Sequence, residues 1–278
     1  MSSTLLAISR KSSKKLIRTG RFTLYLDPRT SISMKPLKVQ FHVHTAQDPI
    51  DHPKHTAEEM LDFAAAKNYD VVAITHHDHF FFTDEIRAYA ESLGILLVPG
   101  IEKTISGRHV LIINATKDVE QINTFYDLCK YRKLHPDCLT IAAHPYYPRG
   151  FCLQEKLLEN INLFDAIEYS WFFAEKLNSF NKKAEQVAKL HRKALLGTSD
   201  NHILPYFDQN FSLVYAEKNW PAIREAILAN KIEMKPTPLT PSELLKLTTQ
   251  MIFEFDLPYQ FRSLKSKISS FKAEKAQK

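Results

Sequence analysis

Histidine, aspartate and glutamate recur in short motifs along this 278-residue chain. The motifs are His42-Val43-His44, then His76-His77-Asp78-His79, Glu102 in Pro99-Gly100-Ile101-Glu102, His109, His144 in Ala143-His144-Pro145, and Asp200-Asn201-His202. Residues i and i+2 of a strand point the same way. His42 and His44 can therefore grip one ion together, and Asp200 and His202 can do likewise. Imidazole and carboxylate without thiolate suit Zn²⁺, Mn²⁺ or Fe and do not exclude Mg²⁺. About nine candidate ligands exceed the four that one zinc needs. Two or three ions sharing a bridging carboxylate would use them. Such a centre clamps the attacking and leaving oxygens of a displacement and lowers the pKa of a bound water towards ~7. A lone histidine on a strand is more often structural, and HxH or DxH alone is weak. The joint pattern carries the reading.

These groups need elements that bring them together. Apolar strand candidates are 39–43, 71–75, 95–98, 110–113, 139–143, 164–168, 194–197 and 213–216. Helix candidates lie between many of them, at 84–93, 119–130, 154–160, 174–191 and 220–229. The clearest starts at Thr56, with Glu59 as its capping-box partner. A further helix is predicted over 242–253, after prolines 236, 238 and 241, packed on the outside of the barrel. Alternating strand and helix predicts parallel strands with right-handed crossovers. Nearly every metal-competent group then sits at or just past the carboxyl end of a strand. In a β/α barrel those ends share one face, where active sites are built. No glycine-rich loop follows the first strand, which weakens a doubly wound nucleotide-binding fold.

The set Phe41-His42-Val43-His44-Thr45, Ala73-Ile74-Thr75-His76-His77-Asp78, Pro99-Gly100-Ile101-Glu102, Ala142-Ala143-His144-Pro145 and Gly197-Thr198-Ser199-Asp200-Asn201-His202 resembles the PHP (polymerase and histidinol phosphatase) family of metal-dependent phosphoesterases. The match runs from about Val39 to His202. The resemblance implies an α/β fold, a distorted (β/α)7 barrel, with a centre of two or three metals that hydrolyses phosphate esters. By the same resemblance His42 and His44 bind one ion with Glu102 and Asp200, and Glu102 bridges. His109 and His144 match ligands of a second ion, and His77 and His202 match ligands of a third. The third ion is completed in the family by an aspartate after the first motif. Pro49 stands at that place here, so Asp48 is preferred, with Asp51 as the alternative. His76 stands where the family often has aspartate.

The expected function is hydrolysis of a small phosphomonoester, a nucleotide or sugar phosphate, by metal-activated water. His77, Glu102 and Asp200 are the catalytic candidates, and His77, if not a ligand, could protonate the leaving group. Arg149, and more weakly Arg108, could clamp the phosphate. Two alternatives compete. One is a 5′-3′ exonuclease or oligonucleotide phosphodiesterase; the other is a metal-bound scaffold holding RNA, membrane or a partner by its basic ends. The net charge is +6. Residues 1–38 hold nine Lys/Arg against Asp27 alone, and 259–278 hold six against Glu274 alone, so 22 basic and 29 acidic residues remain between them. The basic ends could hold a short nucleic acid, but the motifs lie in the acidic body. The expected division is a basic extension over 1–38 with a short strand at 22–28, a catalytic barrel over 39–235, and a helical, basic extension over 236–278, in which 261–275 could form an amphipathic helix. Three cysteines without a CxxC pair suit a reducing cytoplasm. No apolar run approaches a membrane span.

Overall fold

The computed structural model describes residues 35–251. The expected strand at 22–28, the amphipathic segment 261–275 and most of both basic ends lie outside the described residues. The strands are β1 (Leu37–Gln40), β2 (Val71–Ile74), β3 (Leu96–Ile105), β4 (Arg108–Ile113), β5 (Leu139–Ala142), β6 (Ala166–Ser170), β7 (Ala194–Thr198), β8 (Ser212–Val214) and β9 (Ile232–Met234). The α-helices are α1 (Ala57–Ala66), α2 (Asp84–Ser92), α3 (Phe125–Leu134), α4 (Glu155–Glu159), α5 (Ser179–Leu190), α6 (Trp220–Leu228) and α7 (Pro241–Met251). No helix among the described residues is long and apolar enough to cross a membrane.

The strands form one sheet in the order β7-β6-β5-β4-β3-β2-β1-β8-β9, curled into a nearly closed barrel. The Ser212 side chain helps close it. Its hydroxyl accepts from the Gly197 amide at 2.9 Å and donates to the Gly197 carbonyl at 3.1 Å, joining β7 to β8. Glycine is required here, because a Cβ at position 197 would collide with Asn210 Oδ1 and lie 2.9 Å from the Phe211 carbonyl. At the other end the chain beyond β1 bridges Asn201 through Val43, with the His44 amide donating to the Asn201 carbonyl at 3.1 Å. One core fills the barrel with alternate residues such as Val39, Val71, Val98, Leu111, Ile141 and Leu196, and Ile223 and Ile227 of α6 plug it. Trp220 and Arg224 bond the Asp137 and Cys138 carbonyls at the start of β5, so α6 closes the amino-terminal end of the barrel.

The expectation of parallel strands is corrected at two strands. β4 runs antiparallel to both β3 and β5, and β8 runs antiparallel to β1 and β9. The cause at β4 is local. Ser106 (φ 50°) and Gly107 (φ 75°) take the left-handed conformation of a tight hairpin turn, leaving no crossover helix between β3 and β4. The single helix expected over 119–130 is also corrected. A short 3₁₀ turn covers Lys117–Gln121, and α3 starts later because Thr124 and Asp127 form a capping box. The helix expected at 174–191 begins only at Ser179. The helix near the carboxyl end is present, but it packs Leu244 and Leu247 onto Trp171, Phe172, Ile203 and Tyr206. These residues follow β6 and β7, so α7 lies at the carboxyl-end face of the barrel.

Candidate metal centre

β3 pairs with β2 as far as Pro99 and then runs past its end, paired with β4 on one side and, on the other, bridging His77 through Glu102, whose amide donates to the His76 carbonyl at 3.1 Å. Glu102 lies on this overhang and is 1% exposed. Because β4 is antiparallel, its first residues lie at the same end of the barrel, which brings His109 to Glu102 although it begins its strand. Glu102 presents its oxygens to two sets of imidazoles. Oε2 lies 3.0 Å from His42 Nε2, 3.2 Å from His44 Nε2 and 3.1 Å from His77 Nε2. Oε1 lies 2.8 Å from His109 Nδ1 and 3.1 Å from His144 Nε2. Asp200 Oδ1 approaches His42 and His44 at 3.2 and 3.4 Å. His202 turns the other way, with Nε2 3.0 Å from Asp51 Oδ2. His144 (φ 26°) and Asp200 (φ 42°) both sit in left-handed backbone, a strained conformation that surrounding structure must hold in place.

Three groups could hold cations: His42 with His44, Glu102 and Asp200; His77 with Glu102 and His109; and His44 with His77 and His202. The donor set fits the ions its chemistry suggests. His44 Nε2 and His109 Nδ1 are buried without a hydrogen-bond partner, although both lie within ion-pair distance of Glu102. Nitrogens and carboxylate oxygens that converge without hydrogen-bond geometry are arranged for a cation rather than for each other.

A second layer of carboxylates holds the rings. Asp48 Oδ2 accepts from His44 Nδ1 at 2.8 Å, from His77 Nδ1 at 2.9 Å and from the His77 amide at 2.9 Å. Its Oδ1 accepts from the Ile50 and Asp51 amides at 2.8 and 3.3 Å. These bonds set the Nδ1–H tautomer of both rings and turn each Nε2 inward. Asp48 therefore stands behind these two rings. Asp51, the alternative from the sequence, faces His202 and lies 3.8 Å from His77 Nε2. Glu168 does the same work for His42, accepting from its Nδ1 at 3.1 Å and from the His144 amide at 3.0 Å. Sequence reasoning missed Glu168. Its one signal was a lone carboxylate in the middle of strand β6, Ala166–Ser170. Cys152, read from the sequence only as one of three cysteines outside a CxxC pair, places its Sγ 3.2 Å from His144 Nδ1. His76, at the family's aspartate position, is buried and pairs Nε2 with Thr45 Oγ1 at 2.8 Å. Burial, with His44 nearby, pushes its pKa down to about 3.

The electrostatics follow from this packing. Burial alone would lower the pKa of His42, but Asp200, Glu102 and Glu168 outweigh it and raise it to about 9. Burial likewise opposes ionisation of Glu102, and the surrounding His109, His42 and His77 overcome it, holding the carboxyl well below its ordinary value. Asp200 is held down by the same kind of balance, mainly through His42 and His44.

The two arginines separate. Arg108 donates to the Gly150 carbonyl and, at 2.8 Å, to the Cys152 carbonyl, so it ties the loop after β5 to β4. Arg149 is exposed on that loop. Phe151 stacks on His109 with ring centroids 4.5 Å apart and meets His144 edge-on at 5.6 Å, covering this side of the cluster.

No protein-family model matches the sequence, and no curated protein does. Solved structures do. A two-domain protein from Bacteroides vulgatus, containing a predicted PHP-like metal-dependent phosphoesterase, is 20% identical with a TM-score of 0.56, over 76% of this chain and 68% of that one. The chain has a PHP-like fold. PsfC from Pseudomonas syringae is 14% identical with a TM-score of 0.56, over 81% of this chain and 100% of that one. In this PHP-like barrel the expected residues His42, His44, His77, Glu102, His109, His144, Asp200 and His202 stand at one end.

Proposed function

We propose that the protein is a metal-dependent hydrolase of a small phosphomonoester, a nucleotide or sugar phosphate. The observation that carries this is the approach of five imidazoles to the two oxygens of buried Glu102. Two or three divalent cations (Zn, Mn or Fe, with Mg permitted) would supply an acidified water and neutralise phosphoryl oxygens. His42, His44, Glu102 and Asp200 would hold one ion, and His109 and His144 with Glu102 a second. His77 and His202 would hold a third, with Asp51 rather than Asp48 completing it. Glu102 keeps the two sets of rings in register, while Asp48 and Glu168 fix tautomers so that ring lone pairs face inward. Arg149 is the phosphate-contacting candidate. Arg108 acts by holding the Arg149 loop, since its guanidinium already serves two carbonyls. The division at residues 38 and 235 belongs to this reading, with α7 attached at the barrel mouth. The unpaired cysteines 129, 138 and 152 support a reducing, cytoplasmic setting.

The test is elemental analysis of purified protein followed by a panel of phosphomonoesters, diesters and oligonucleotides. His42→Ala and Asp200→Ala should lose metal and monoesterase activity together. Full metal content and activity in both variants would refute the assignment. A preference for oligonucleotides that weakens steeply with salt would replace the monoester reading with the nuclease one.

A further inference from the structure

Beside the candidate centre the barrel mouth opens into a cleft of about 550 Å³. Its lining includes Asp51, His202, Pro53, Ile203, Leu204 and Gln250. Asp51 and His202 are common to the cleft and the cluster, so the two spaces share a wall. The opposite side is covered by Phe151 over His109 and His144. A phosphoryl group at the cluster therefore has open room for its ester substituent on the Asp51–His202 side.

α7 contributes one lining residue, Gln250. Thr240 and Glu243 form a capping box at its start, Glu243 Oε2 accepting from the Thr240 amide at 2.8 Å and Thr240 Oγ1 from the Glu243 amide at 3.2 Å. Leu244 and Leu247 fix the helix on Trp171, Ile203 and Tyr206. Residues three apart share a helix face, so the stripe through 244 and 247 brings Gln250 to the cleft. The walls thus combine apolar surface from Pro53, Ile203, Leu204 and Pro205 with the polar and charged side chains of His52, Lys54, His55, Glu59 and Gln250. Small-molecule pockets fall within roughly 300–1,000 Å³, and apolar surface beside hydrogen-bonding groups suits a ring-bearing ligand with polar edges.

We propose that this cleft holds the alcohol part of the substrate, that this part is nucleoside-sized, and that Gln250 on α7 is a specificity-determining residue. This rests on the phosphoesterase reading above and narrows it to monoesters with a ring-bearing group. The test compares hydrolysis of 5′-AMP and methyl phosphate by the full metal-loaded chain, together with NMR-detected binding of adenosine, which needs no metal. Gln250→Trp fills the cleft. Leu245→Trp, on the outer face of the same helix at 70% exposure, is the control.

Wild type should prefer 5′-AMP over methyl phosphate by kcat/KM. Gln250→Trp should lower the 5′-AMP value roughly tenfold or more while changing methyl phosphate by less than about twofold. It should also abolish adenosine binding, and Leu245→Trp should alter none of these. An unchanged 5′-AMP value in Gln250→Trp, or an equal fall for both esters, overturns the proposal and leaves the phosphoesterase reading intact. If no ester is hydrolysed, the phosphoesterase reading fails. Adenosine binding then decides the cleft: its loss in Gln250→Trp supports a nucleoside site, and its absence in wild type overturns one.

Discussion

Asp48→Asn tests whether the centre depends on a carboxylate that would touch no metal. Asp48 accepts five hydrogen bonds, three at Oδ2 from His44 Nδ1, His77 Nδ1 and the His77 amide, and two at Oδ1 from the Ile50 and Asp51 amides. An amide cannot reproduce that set. If its oxygen faces the histidines, its NH₂ meets the two backbone N–H donors of residues 50 and 51. If it flips, the NH₂ faces the two Nδ1 atoms, and both rings must carry their proton on Nε2, inside the metal site. Each buried donor left without an acceptor costs about 1–3 kcal/mol, so the metal-free variant should be destabilised by roughly 2–5 kcal/mol. Loss of an outer carboxylate typically weakens metal binding about 10–100-fold. With two rings affected the fall should lie at the upper end, about 100-fold, or ~2.7 kcal/mol. Competition against a chelator measures the affinity, and thermal unfolding of the stripped protein measures the stability. The number of ions bound at saturation should not change. Asp51→Asn should behave in the opposite way, losing one ion per chain with little effect on the affinity of the others. Wild-type affinity in Asp48→Asn, or loss of one ion in Asp48→Asn but not in Asp51→Asn, would refute this division of roles and make Asp48 the ligand.

Metal binding should release protons. In the metal-free chain His42 is raised from 6.5 to about 9, so its proton contributes stability that is fully present below pH 6.5 and lost as pH rises through about 9. A cation must displace that proton, so apparent affinity should climb between those limits and level off above them. The melting-temperature gap between loaded and stripped protein should widen over the same window, and a gap that narrows would contradict the assignment. Gly197→Ala should destabilise the fold by roughly 1–3 kcal/mol, because the added methyl group meets Asn210 and the Phe211 carbonyl where β7 approaches β8. Denaturant unfolding reads this, and an unchanged midpoint would show that the closure is looser than described.

The ligand motifs were legible because strand periodicity is local. Two residues apart on extended backbone means one direction, so His42-Val43-His44 could be read as a pair before any fold was known. A barrel and most of its strands were legible because apolar runs alternate with capped helices, and its PHP-like form because the motif set resembles that family. Local patterning does not report strand direction, and the Ser106-Gly107 turn that reverses β4 was read only in three dimensions. That reversal delivers His109 to Glu102. Asp48 and Asp51 could not be told apart by spacing, because what separates them is which oxygen each turns towards His44, His77 and His202. Glu168 is 126 residues from His42, and Gln250 reaches the cleft that Asp51 lines only through a helix packed on the loops after β6 and β7. By itself the sequence determined which chemistries are present and on which short segments they ride. The tertiary structure decided how Glu102 lies between two sets of rings, which carboxylates stand behind those rings and which side of the cluster opens into a cleft. These are properties of packed side chains from distant strands, and no spacing along the chain encodes them.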